Sequence, residues 1–305
     1  MSLLKVEALT KKFGSKVSVD ALSFALQPNT ATALIGPNGA GKTTTMSMIC
    51  GLLEPSNGKV TLADGGDIRK HIGFLPQYPK FYSWLSALEY VEMTARLSGI
   101  SAREAKKRSE EVLTYVGLGK DMKRLTSTFS GGMKQRLGIA QAIVHKPQLL
   151  LLDEPVSALD PIGRAEVMEL LKELQRETTI LYSTHILHDA EKVTDQVLFM
   201  KEGRLVEEGT LQEIQQRYAN PRYSIEFVHE AEAEAFAQSL AEHAVREGSN
   251  VTLPIDEQLP TMNALMALLS SSRYEIIKVE RESASLDQIF MKVAGVGEFT
   301  ASTAR

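Results

Sequence analysis

Between a short apolar strand candidate, Ala31-Thr32-Ala33-Leu34-Ile35, and an apolar helix candidate ending near Gly51 lies Gly36-Pro37-Asn38-Gly39-Ala40-Gly41-Lys42-Thr43. This is the phosphate-loop pattern G-x-x-x-x-G-K-[ST], in the strand–loop–helix setting that gives the pattern its meaning. Glycines let the backbone take positive φ and approach an anion closely. Successive N–H groups and the helix N-terminus then surround a β-phosphate. Lys42 adds a cation between the β- and γ-phosphates, and the Thr43 hydroxyl can hold Mg²⁺. The candidate nucleotide-binding residues are Gly36 through Thr43 together with Thr44, and the fold class expected around them is α/β.

A second segment suits the metal and the attacking water. Pro147-Gln148-Leu149-Leu150-Leu151-Leu152-Asp153-Glu154 is an apolar run with the character of a buried strand, ending in two carboxylates. Asp153 would sit beside the phosphate loop and hold the metal, directly or through water. Glu154 can face the γ-phosphate and polarise water as a general base. Alone, such a pair is as readily a solvated turn; the phosphate loop elsewhere in the chain favours the chemical reading.

Composition removes several classes. The chain has 305 residues, 43% hydrophobic and 24% charged, which suits one large or two modest globular domains and argues against disorder. No run approaches the ~18 apolar residues of a membrane span, and MSLLKVEALTKKFG has no signal-peptide core. The single cysteine, Cys50, cannot form an internal disulfide, which fits a reducing cytosol. A net charge of −4 gives no reason to expect nucleic-acid binding. The charge is uneven: residues 221–305 carry 13 Asp and Glu against 7 Lys and Arg, so the remainder is slightly basic. The change falls at Tyr218-Ala219-Asn220-Pro221, a helix-stop signal. Two domains are therefore expected, 1–220 and 221–305.

Thr128-Phe129-Ser130-Gly131-Gly132-Met133-Lys134-Gln135-Arg136, placed about twenty residues before Glu154, resembles the signature motif of the ATP-binding cassette (ABC) family. Phe74-Leu75-Pro76-Gln77 resembles that family's Q-loop, Ser157-Ala158-Leu159-Asp160 its D-loop, and Ser183-Thr184-His185 its switch histidine. Phe13-Gly14 resembles its adenine-stacking aromatic. The resemblance runs from residue 1 to about 217. It implies a phosphate-loop ABC-type ATPase core with a helical subdomain over about 78–128. It implies ATP and Mg²⁺ as cofactors, Gln77 joining Thr43 and Asp153 at the metal, and His185 and Gln77 assisting Glu154. Ser130, Gly131 and Gly132 would cap the γ-phosphate in the site of a second ABC ATPase subunit, with Asp160 nearby, and Phe13 would stack on adenine. Met133 stands where the family commonly has Gln; the serine and glycines carry the phosphate contacts, so function is expected to survive. Taken singly, Ser130 could be a simple N-cap, Gln77 a surface residue, Phe13 a core aromatic, and the five other histidines structural or solvated.

Between Gln77 and the signature, Ala87–Leu97 and Arg103–Val116 show helical apolar spacing. In the family this region receives a coupling helix from a membrane subunit. Phe81, Tyr82 and Trp84 could line that groove or pack in the subdomain's own core, and the sequence leaves both open. After residue 220, strand-like segments (Tyr223–Val228, Val251–Ile255, Glu275–Arg281) alternate with helical ones (Ala231–Ala244, Thr261–Leu269). Ser285-Leu286-Asp287-Gln288-Ile289-Phe290 resembles the closing helix of export-type cassettes. The pattern is that of a small C-terminal α+β domain, ferredoxin-like and without a catalytic constellation.

The expected function is an ATP-hydrolysing subunit that energises a separate polytopic membrane permease exporting a drug, antimicrobial peptide or lipid. It would pair with a second cassette, identical or not, and lie on the cytoplasmic face of the membrane through its permease, without nucleic acid. The alternative is a soluble ABC-type ATPase acting on ribosomes or DNA. Those usually carry two cassettes or long coiled-coil insertions, and this chain shows neither.

Overall fold

Three strands with every position buried organise the core: β3 (Ala31–Ile35), β6 (Leu149–Asp153) and β7 (Thr179–Thr184). Apolar runs of this kind belong to a parallel sheet covered on both faces. With β5 (Ile72–Leu75), β8 (Gln196–Lys201) and β9 (Arg204–Thr210) they form a six-stranded sheet of order β5-β6-β7-β3-β8-β9. It is parallel from β5 to β8, and β9 closes it as an antiparallel edge. The phosphate loop leaves β3 at its C-terminal end and enters α1 (Lys42–Ile49), while β6 ends on Asp153 one strand beyond β7. Both nucleotide segments thus emerge on the same side of the sheet.

A second, antiparallel sheet pairs β1 (Leu4–Phe13) with β2 (Lys16–Leu26) and β4 (Asn57–Leu62), in order β2-β1-β4. Its Leu4, Val6, Leu9 and Leu22 meet Leu34, Leu151 and Leu181 of the parallel sheet, with Met46 and Ile49 of α1 between them. The helical layer is α2 (Ala87–Leu97), α3 (Ala102–Tyr115) and α4 (Gly131–Ile143). Ser86 and Glu89 close a capping box on α2, and the Ser101 hydroxyl caps α3. Tyr90, Val91 and Ala95 of α2, and Ala105, Ser109, Val112 and Leu113 of α3, form the buried stripes that the apolar spacing predicts. Then follow α5 (Pro161–Leu174), α6 (Leu187–Ala190) and α7 (Leu211–Arg217).

This computed structural model describes residues 2–63, 65–157, 159–218, 222–240, 244–255, 261–270, 274–282 and 285–294. Ala158, and Ala219-Asn220-Pro221 at the expected domain boundary, lie outside the described residues. The chain divides into two compact units, one made of the chain up to Leu211 together with the segment from Phe290, the other running from Gln212 to Ile289. The division therefore comes before the Asn220-Pro221 stop signal, at the start of α7. The last helix, α10 (Leu286–Ala294), crosses back at Phe290, which stacks on Phe199 of β8 at 6.4 Å within the first unit.

The second unit contains β10 (Arg222–Phe227), α8 (Glu230–Ser239), β11 (Val245–Glu247), β12 (Asn250–Pro254), α9 (Met262–Ser270) and β13 (Ile276–Glu282). Its four strands are antiparallel in the order β11-β12-β10-β13, the βαββαβ connectivity of a ferredoxin-like domain. Tyr223, Ile225 and Phe227 alternate inward and meet Phe236 of α8 and Leu265 and Leu269 of α9. The helix expected over Ala231–Ala244 stops at Ser239, and the short exposed strand β11 follows; three exposed residues carry too little alternation to be read from sequence.

Candidate functional site

The phosphate loop is shaped by what lies behind it. Gly41 caps α1 with φ +102°, and a Cβ there would lie 2.6 Å from the Ser18 carbonyl oxygen of β2. A Cβ at Gly36 would lie 2.4 Å from the Met200 carbonyl oxygen of β8. The β8–β9 turn is tied to the loop itself, since Gly203 N–H donates to the Ala40 carbonyl at 3.0 Å. The close approach of Ser18 to Gly41, and of Met200, over 150 residues further along the chain, to Gly36, is why glycine is needed at both positions.

Lys42 lies along the inside of the loop and is 6% exposed. Its Nζ donates to the Gly36 carbonyl at 2.7 Å and the Pro37 carbonyl at 3.2 Å. Burial pushes its pKa below the ordinary value, and the carboxylates of Glu154 and Asp153 push back. A cation held only by carbonyls beside an open cavity is suited to an incoming anion. That cavity, of about 570 Å³, brings Asn38, Gly39, Gly41, Lys42, Thr43 and Thr44 together with Gln77 and Glu154. Lys16, Val17, Ser18 and Glu202 also line it, and the Ser18 and Thr44 hydroxyls lie 3.2 Å apart.

The carboxylates are ordered by Ser183, which the motif resemblance quotes beside His185 but gives no role of its own. Asp153 and Ser183 are register partners on β6 and β7. The fully buried Ser183 hydroxyl donates to Asp153 Oδ1 at 2.6 Å and accepts the Glu154 N–H at 2.9 Å. Glu154 takes φ +49°, a left-handed conformation that a non-glycine residue adopts at a cost. Its Oε2 accepts from Gln77 Nε2 at 2.9 Å and faces His185 Nδ1 at 3.3 Å. Oε1 remains for a water molecule. Gln77 and Glu154 therefore line the cavity at the phosphate loop, and Asp153 and His185, from neighbouring strand ends, join them through the Ser183 hydroxyl and through Glu154 Oε2.

The residues present also fit a hard divalent cation. Gln77 commits its amide nitrogen to Glu154 and so keeps Oε1, Asp153 commits Oδ1 to Ser183 and keeps Oδ2, and the Thr43 hydroxyl is exposed in the cavity. A hydroxyl, an amide oxygen and a carboxylate oxygen are the donor set that Mg²⁺ takes.

The remaining candidates lie outside this cavity. Ser130 is the N-cap of α4, its hydroxyl accepting from Met133 N–H at 3.3 Å; Ser130 and Gly131 are exposed. Asp160 caps α5 by accepting from Gly163 N–H at 2.8 Å. A Cβ on Gly132 would lie 3.5 Å from Leu159, so the two helix N-termini stand side by side. Phe13 is 51% exposed at the end of β1, with the Lys11 ammonium 5.4 Å from its ring centre, and is not a core aromatic. Of the aromatic cluster, Phe81 packs edge-on against Tyr90 at 5.0 Å, whereas Tyr82 and Trp84, paired at 5.1 Å, are 48% and 69% exposed.

Residues 19–157 match the family description "ABC transporter", and residues 209–294 match "ATP-binding protein DrrA1-3-like, C-terminal domain". The chain is 40% identical over 295 residues to the uncharacterized ABC transporter ATP-binding protein YxlF of Bacillus subtilis, covering 95% of this chain and 99% of that one. It is 34% identical to the bacitracin transport ATP-binding protein BcrA of Bacillus licheniformis, covering 97% and 98%. Among solved structures, the dimeric post-hydrolysis state of the cassette MJ0796 bound to ADP and Pi superimposes with a TM-score of 0.63 at 28% identity, covering 68% of this chain and 98% of that one. The chain belongs to the ATP-binding proteins of ABC transporters. It binds ATP, and its hydrolysis is coupled to transport; the reading as a soluble ATPase on ribosomes or DNA gives way to this one. Among the described residues no helix is long and apolar enough to cross a membrane.

Proposed function

We propose that two such cassettes, identical or not, clasp two ATP molecules head to tail and drive a permease that exports an amphipathic antibiotic peptide or drug. The observation that carries this reading is the Glu154 carboxylate, held by Gln77 and His185 at the mouth of a loop built for phosphate. Lys42 would release the Gly36 and Pro37 carbonyls to bind the β- and γ-phosphates, joined by the loop N–H groups from Asn38 to Thr44. Thr43, Gln77 and Asp153 would hold Mg²⁺, which when bound neutralises charge on the phosphate oxygens. Glu154 Oε1 would accept the proton of the attacking water, and His185 would hold Oε2 in place. The exposed ring of Phe13 supports a stacking role on adenine, and Ser130, Gly131 and Gly132, with Asp160 beside them, are free to meet a partner's ATP. Transport of an antibiotic is supported by the name of BcrA, a bacitracin transport ATP-binding protein, and the DrrA-like match of residues 209–294 agrees with that class of subunit. Residues 221–305 would serve assembly or regulation.

Purified subunit should show ATPase activity stimulated by its permease in vesicles, and further by an amphipathic peptide substrate. Activity indifferent to the permease would overturn the reading. Position on the cytoplasmic face would follow from the permease, through Tyr82 and Trp84, which are exposed where Phe81 is not. Trp84→Ala should therefore reduce co-sedimentation with permease-containing membranes several-fold, as loss of an interface tryptophan does, with thermal stability unchanged. Phe81→Ala should instead lower stability by about 3 kcal/mol or less, because its ring is packed on Tyr90. Membrane recovery that is unaffected by Trp84→Ala would remove the rings from the docking surface.

A further inference from the structure

Arg136 joins three elements by one side chain. It lies four residues after Gly132 on α4 and so on the same helix face. Nη1 donates to the carbonyl of Val116, the C-cap of α3, at 3.1 Å. Nη2 pairs with the carboxylate of Glu166 on α5. Gly117 follows with φ +79°, and a Cβ there would lie 2.6 Å from Arg136 Nη1, so this glycine both turns the chain and makes room for the guanidinium. One turn nearer the helix N-termini, Gly132 meets Leu159. The first turn of α4 thus approaches Leu159, just ahead of α5, and an ion pair ties α4 to α5 behind that approach.

We infer that Arg136 and Glu166 are positioning residues for ATP hydrolysis. The guanidinium fixes the angle between the Ser130 loop, the Leu159-Asp160 segment and the helical layer, so that all three meet the second cassette as one body. This rests on the proposed head-to-tail pair. The pair's side chains are 24% and 54% exposed, and an ion pair so open to water adds little to stability. Its value is direction: a planar fork serves a carbonyl and a carboxylate at a set angle, which lysine cannot do. Misplacement of reacting groups by an ångström costs up to roughly a hundredfold in rate.

The test compares Glu166→Gln, Arg136→Gln, Arg136→Lys and the double Gln variant in the complete subunit. Glu166→Gln and Arg136→Gln should lower kcat by roughly ten- to a hundredfold, with unchanged melting temperature and unchanged ATP affinity of the single subunit. Arg136→Lys should recover part of the loss, and the double variant should be no worse than Arg136→Gln alone. In a Glu154→Gln background, Arg136→Gln should weaken the ATP-dependent dimer seen by light scattering. Unchanged kcat, strictly additive losses, or loss of ATP affinity in proportion to kcat would overturn the inference. If Glu154→Gln alone forms no dimer with ATP, the head-to-tail reading fails; if that dimer forms and ignores Arg136→Gln, only the positioning role does.

Discussion

Glu154→Gln should leave ATP bound and slow its hydrolysis by ~10²–10⁴. The amide keeps the length of the side chain and one acceptor for Gln77, and the backbone N–H of residue 154 stays on the Ser183 hydroxyl. What disappears is the group that can take a proton from water. The variant also loses a negative charge beside Lys42 and the phosphates, so nucleotide affinity should hold or rise. ATP that is bound and not cleaved should then act as the adhesive between two cassettes. Size-exclusion chromatography with light scattering should show a dimer with ATP and a monomer with ADP, and Ser130→Arg should abolish the dimer. Phosphate release at the parent rate would take Glu154 out of the proton transfer.

Lys42→Met should produce the second large effect, with ATP affinity and hydrolysis falling together by ~10²–10³, the scale of losing one preorganised electrostatic group. Methionine keeps the volume, so the loss would not be one of folding. The expected stability change runs the other way. Burial holds the Lys42 pKa below 10.5, so the folded state bears a cost for the charged form below the folded pKa, relieved as pH rises towards the unfolded value. At neutral pH the Met variant without nucleotide should melt at or above the parent temperature, and the difference should shrink at alkaline pH. A variant that melts lower and still binds ATP would show that Lys42 serves the loop and not the phosphates.

The phosphate loop was legible because its constraint is local: glycine spacing, a lysine and a hydroxyl within eight consecutive residues. The apolar strands β3 and β6 were legible for the same reason, and so were the helical stripes of α2 and α3. Ser183 carried no such signal as a positioning group. A serine in a strand is ordinary, and only the register that sets it opposite Asp153 gives it two carboxylate-bearing neighbours. The β8–β9 turn behind the loop was hidden by separation, since nothing near Gly36 or Ala40 points to Met200 or Gly203. For Phe81, Tyr82 and Trp84 the sequence left groove and core open, and the structure divides them by exposure: Phe81 packs edge-on against Tyr90, whereas Tyr82, which also reaches Tyr90 at 6.2 Å, and Trp84 stay exposed. Ser130 and Asp160 show how a bland reading and a chemical one coexist. Each caps a helix through its side chain and remains at the surface.

The left-handed backbone of Glu154 has a consequence for anyone improving this protein by selection. A non-glycine residue at φ +49° carries strain of about 1–3 kcal/mol, and glycine would be relaxed there. Screens that reward heat tolerance or expression alone should therefore enrich Glu154→Gly, yielding robust proteins that hold ATP and do nothing with it. A library sorted on thermal survival and then sequenced at codon 154 would reveal the conflict, and only a second sort on phosphate release should restore the glutamate.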